Sequence, residues 1–66
     1  MMKVLVHVGG QPIRTDWIKR ITRGKEHGVT TCSVWFSVGS VGAYHFRGKD
    51  AQTALELLAD HPALQA

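Results

Sequence analysis

At 66 residues the chain has room for one hydrophobic core, and a domain this short buries only about 60% of the surface its unfolded form exposes. The single cysteine, Cys32, excludes an internal disulfide, no apolar run approaches the roughly 20 residues that span a bilayer, and eight Lys and Arg against five Asp and Glu give a net charge of +3. A disulfide-stapled scaffold and a helical membrane protein are thereby excluded, and a small cytoplasmic domain held by packing or self-association is predicted.

Val4, Val6 and Val8 alternate with Lys3, Leu5 and His7, a period-two pattern that predicts a strand with one buried side. The interruption by His7 and the following Gly9-Gly10-Gln11-Pro12 read as a strand entering a turn, not as a signal peptide. The glycine pair suits the positive φ angles of a two-residue hairpin turn. Pro12 cannot donate to a ladder, so the return through Gln11 to Arg14 is an edge or a strand start.

Thr15 to Arg23 admits two readings. Thr15 or Asp16 can cap a short helix with Trp17, Ile18 and Ile21 at helical spacing and Gly24 ending it. The favoured reading is a turn followed by a strand, with Ile18 and Ile21 entering the core around a kink at Thr15-Asp16. Gly24-Lys25-Glu26-His27-Gly28 is a turn by composition.

Val29 to Val38 is the best strand: Cys32, Val34, Phe36 and Val38 share one side, and Thr31, Ser33, Trp35 and Ser37 the other. Gly39 to Gly42 makes a reversal, and Ala43 to Arg47 alternates with Tyr44 and Phe46 inward. Asp50 is the predicted N-cap of a helix, on which Ala51, Ala54, Leu55 and Leu58 form one apolar stripe. Pro62 stops it, leaving residues 63–66 as a short frayed tail after a single α+β domain over residues 1–62.

These elements predict a small antiparallel β-meander of three to four strands, open or curled into a partly open SH3-like barrel, with one C-terminal α-helix covering an apolar face. That face comprises Val4, Val6, Val8, Val34, Phe36, Val38, Tyr44 and Phe46. The order of a glycine-turn hairpin, "QPIRTDWIKRI", "SVWFSVGSVGAYHF" and "GKDAQTALELL" resembles the small meander-plus-helix proteins typified by the flagellar FlbD family and similar short phage and mobile-element frames. The resemblance implies a polar kink between strands at Ile13 to Ile21 and supplies no functional residues. The chain departs from the pattern in its more basic segment and in Trp17 and Trp35.

Candidate chemistry is sparse. Cys32 falls on the inward side of its strand while His7 and His45 fall outward, so a thiol–imidazole pair is not expected, and Cys32 reads as a buried small hydrophobe. The four histidines lack zinc-site spacing, and Gly9-Gly10 is not followed by a dinucleotide fingerprint. No enzyme activity, metal, cofactor, membrane or small-molecule substrate is expected.

Two surfaces carry functional expectations. The first is the outer face of the best strand: Trp35 with Leu5, His7, His45 and Arg47, a contact surface for another protein or for a second copy in a homodimer. It suits an accessory protein such as a phage-type inhibitor or adaptor, with a basic rim steering the approach. The alternative is a nucleic-acid-binding module in which Arg14, Lys19, Arg20, Arg23 and Lys25 contact phosphates while Trp17 or Trp35 stacks on a base.

Overall fold

A computed structural model describes residues 3–37 and 42–64 of the chain. The expected α+β class forms, with five strands among the described residues: β1 (Leu5–Val8), β2 (Gln11–Arg14), β3 (Ile18–Glu26), β4 (Val29–Phe36) and β5 (Ala43–Arg47). One helix follows, α1 (Lys49–Leu57). The strands are divided between two open sheets, a β1–β2 hairpin and a β3–β4–β5 meander, all pairings being antiparallel.

Two tight turns set the registers. Gly9 and Gly10 take φ of 55° and 82°, the positive pair that matches hairpin twist, and Val8 pairs with Gln11. A Cβ on Gly9 would lie 2.6 Å from Asp50 Oδ2, so this position also needs glycine for the close approach of α1. The second turn is shorter than composition predicts. His27 and Gly28 alone form it, with φ of 52° and 79°, while Gly24 stays inside β3 opposite Thr31.

The ambiguous segment resolves into a single 3-10 turn at Thr15–Trp17 followed by β3. Ile18 and Ile21 are three apart, yet both are buried. A register irregularity between Ile18 and Arg20 makes this possible. It inserts Lys19 as an extra residue, and one inserted residue reverses the parity of everything before it. The 3-10 turn is why β2 and β3 join different sheets. Thr15 is buried there, its N–H donating to the Val4 carbonyl at 2.7 Å and its Oγ1 to the Lys3 carbonyl at 2.7 Å.

The core collects Val6, Val8, Ile13, Ile18, Ile21, Cys32, Val34 and Phe46 from the sheets, Ala51 and Ala54 from α1, and Leu58 just past its end; α1 packs on β4 and β5 and touches β1. Each fully buried Val, Leu or Ile contributes about 1.5–3 kcal/mol. Phe36, Tyr44 and Leu55 pack against this cluster while partly buried. Val4 departs from the expectation. It precedes β1 and is 55% exposed, and Val38 lies outside the described residues.

The helix begins two residues earlier than its sequence suggests. Gly48, not Asp50, is the N-cap, at φ 60° and ψ −127°, a region open to glycine and closed to L side chains. Its N–H donates to the Thr30 carbonyl at 2.8 Å, fixing the β5–α1 corner to β4. The helix ends at Leu57 with Leu58 as C-cap, before Pro62 is reached. The predicted tail is docked at its start: the Ile21 N–H donates to the Ala63 carbonyl at 3.1 Å, and Leu64 bridges Ile21 in parallel. Residues 65–66 lie outside the described residues.

Candidate functional site

Side chains that pair directly across strands share a face. Cys32 opposite Phe46 and Val34 opposite Tyr44 define the inner face of the meander, since these residues belong to the core or pack on it. The outer face then reads in rows: Arg20, Trp35 and Ala43; Thr22, Ser33 and His45; Gly24, Thr31 and Arg47. Trp35 therefore lies outward, as alternation predicts, but it is half-buried.

Its cover comes from the face itself. The Arg20 guanidinium lies over the indole, 5.0 Å from the ring centroid, a contact worth about 0.5–1 kcal/mol at an exposed site. The His45 ring meets the indole edge-on, with centroids 6.2 Å apart and planes at 89°. His45 Nδ1 is in turn hydrogen-bonded to Ser33 Oγ at 2.7 Å. Arg20, Trp35, His45 and Ser33 thus form one connected cluster, with Thr22, Thr31 and Arg47 beside it.

Leu5 and His7 do not join this cluster. Both are exposed on β1, where Leu5 pairs with Arg14 and His7 with Pro12. Alternation gave their orientation within the strand but carries no information about which sheet the strand enters. His7 and His45, grouped on one contact surface by alternation, therefore stand on strands of different sheets.

The basic segment is likewise not one patch. Strand geometry divides it: Arg20 is on the outer face, whereas Arg23 pairs with Cys32 and Lys25 with Thr30, on the opposite side of the sheet. Lys19 occupies the bulge. All four are exposed along β3, an edge of the meander. Arg14, at the end of β2, is occupied with Asp16: Nε donates to Oδ1 at 3.0 Å and Nη2 to Oδ2 at 2.6 Å. This hydrogen-bonded pair holds the Asp16 carboxyl below the usual carboxylate range and raises the guanidinium. It is the one ion pair among the described residues.

Trp17 stays 43% exposed although the Arg14 guanidinium lies over its ring, 4.5 Å from the centroid. Its carbonyl accepts from the Ser37 N–H at 2.9 Å and from Ser37 Oγ at 3.2 Å. That contact continues the β3–β4 ladder and sets Trp17 at the same end of the sheet as Trp35. Two arginine–indole stacks therefore stand at one end of the meander.

The groups gathered on this face are cationic, aromatic and hydroxyl side chains. A serine nucleophile needs a base whose second nitrogen is oriented by a third group. Ser33 occupies Nδ1 of His45, and among the described residues no carboxylate holds the other nitrogen. Among the described residues no group of His, Cys, Asp or Glu is assembled to hold a metal, and Cys32 is buried with its thiol pushed up by desolvation. No helix among the described residues is long and apolar enough to cross a membrane. Sequence reasoning passed over Ser33 and Thr22 as site members. Ser33 could have been found from the alternation that places it beside Trp35, whereas the Arg20–Trp35 stack depends on a register that the bulge sets. No family model, curated protein or solved structure matches the chain.

Proposed function

We propose that the protein is a non-enzymatic module that binds single-stranded nucleic acid on the outer face of the β3–β4–β5 sheet. The observation that carries this reading is the composition of that face. Arg20, Arg47, Trp35 and His45 are set among Thr22, Thr31 and Ser33, with exposed Lys19, Arg23 and Lys25 along the same edge strand, β3, the last two on its other side. Cations neutralise phosphates, and aromatic rings with guanidinium planes offer stacking surfaces to unpaired bases. The apolar neighbour that a protein contact would want, Leu5, belongs to the other sheet.

A fluorescence-anisotropy titration with labelled oligo-dT and oligo-U across salt concentrations tests it. The expected result is binding at low salt that weakens with a slope of roughly −0.7 per neutralised phosphate. Two to four contacts then give an overall slope of about −1.4 to −2.8. Absence of binding to any single strand at low salt ends the reading.

One observation favours a second reading, a contact with another protein or a second copy through the hairpin. Leu5, at the start of the two-stranded sheet, and Val4 just before it are 46% and 55% exposed, and exposed apolar neighbours mark contact surfaces. Light scattering on the same samples without oligonucleotide distinguishes it: a mass that rises with concentration supports self-association, and a constant monomer mass removes it.

A further inference from the structure

The two arginine–indole stacks look alike but differ in charge. Arg14 is clamped by both Asp16 carboxylate oxygens, at 3.0 and 2.6 Å, while its guanidinium lies over Trp17. Arg20 lies over Trp35, and among the described residues it has no acidic partner. A fork-to-fork arginine–carboxylate pair is planar and geometrically fixed. Trp17 is therefore backed by a rigid and nearly neutral layer, whereas the indole of Trp35 is half-buried beneath a free cation. The Trp17 carbonyl receives the Ser37 N–H, and Ser37 is two residues from Trp35 on β4. Strand spacing and rise place the two backbone positions about 8 Å apart, a span that neighbouring nucleotides of an extended strand can bridge.

Resting on the single-strand reading above, we infer that the two stacks divide the work: Trp17 is the base-stacking platform, and Trp35 is the seat that presents Arg20 to a phosphate. Stacking needs an open aromatic surface on a support that does not move, and Trp17 offers one at 43% exposure with its backing already ordered. Phosphate contact needs an uncompensated charge at a fixed height above the sheet, and Arg20 on Trp35 offers that. Asp16 acts as a positioning residue. It removes Arg14 from the phosphate-binding cations and commits it to holding the indole.

The division has separable signatures in the full chain, read by anisotropy with labelled oligo-dT over a range of salt. Trp17→Ala lowers affinity roughly ten-fold with the salt slope unchanged, because a stack is lost and no charge. Trp17→Phe recovers most of that loss. Arg20→Gln makes the slope shallower by about 0.7, the contribution of one phosphate. Asp16→Asn steepens it by a similar amount, about 0.7, since Arg14 becomes a free cation. Circular dichroism of each variant confirms that it is folded, as Trp17, Arg20 and Asp16 are all exposed. If the wild-type protein binds but Trp17→Ala leaves affinity unchanged, or shifts the salt slope as Arg20→Gln does, the division of roles is overturned while single-strand binding stands. If the wild-type protein binds no oligonucleotide, both fall together.

Discussion

Cys32 sits on the inner face of β4 at 1% exposure, opposite Phe46. Desolvation pushes its thiol above the ordinary range, because a thiolate there would lose its hydration without gaining a partner. The folded state consequently holds this proton more tightly than the unfolded state does. The resulting stability is fully present below the unfolded thiol value, about 8.5, and is lost as pH rises through the folded one. Urea midpoints of the wild-type protein should fall as the solution passes above about pH 8.5, and C32A should lack that component of the slope. At neutral pH the same substitution should cost about 1–2 kcal/mol through lost packing. An identical alkaline slope in the two proteins would mean that the thiol is not the titrating group. Asp16 runs with the opposite sign. Its lowered carboxyl favours the folded state above the normal carboxylate range and loses that effect in acid, but the pair lies at the surface and is screened by solvent, so the contribution is small.

At the scale of elements, β3 carries the decision on which the site rests. The residue inserted at Lys19 lets Ile18 and Ile21 both reach the core and turns Arg20 toward Trp35. Deleting Lys19 should put Ile18 and the segment before it out of phase with Ile21, and thermal melting followed by circular dichroism should lose its cooperative transition. K19A keeps the inserted residue and should melt close to wild type. A deletion variant that melts normally would show that the bulge does not set the parity. Lys19 also marks the limit of what alternation can tell. β4 and β5 were legible because each alternates without interruption, and the Gly9-Gly10 turn because a glycine pair fits one turn geometry. The helix stripe was legible from Ala51, Ala54 and Leu58. The bulge was not, since an exposed Lys looks the same in a regular strand and in an insertion. Gly48 was missed as a cap because its N–H bond to Thr30 is a tertiary contact, while Asp50 has the better local chemistry. At the site, the outward turn of Trp35 was readable from β4 alone. The grouping of Leu5 and His7 with it was wrong because sheet membership depends on the 3-10 turn at Thr15–Trp17.

At the scale of the whole molecule, two small sheets and a nine-residue helix have to be held as one body, and His61 is the side chain that ties their far ends. Its Nδ1 accepts the Ala63 N–H at 3.0 Å, so Nε2 carries the proton and donates to the Thr15 carbonyl at 2.8 Å. Thr15 in turn holds the start of β1 through the Lys3 and Val4 carbonyls. The same turn delivers Ala63 and Leu64 to the edge of β3 at Ile21, which is fully buried. Replacing the imidazole removes both side-chain hydrogen bonds and leaves a half-buried carbonyl to find water, a loss of about 1–3 kcal/mol. For a domain of this size that lowers the melting temperature by roughly 5–15 °C. Loss of general stability alone would speed exchange of all the most protected amides together. The tether predicts something more local: in H61A the Ile21 amide, whose acceptor is the Ala63 carbonyl, should exchange disproportionately faster than amides in the β4–β5 ladder. If Ile21 keeps its protection relative to that ladder, the C-terminal segment is held by Leu64 packing instead, and His61 is only its neighbour. The consequence reaches the recognition face, because the edge that Ala63 and Leu64 cover is the strand that carries Arg20. A loosened edge should therefore also weaken binding by any ligand that depends on Arg20 standing over Trp35.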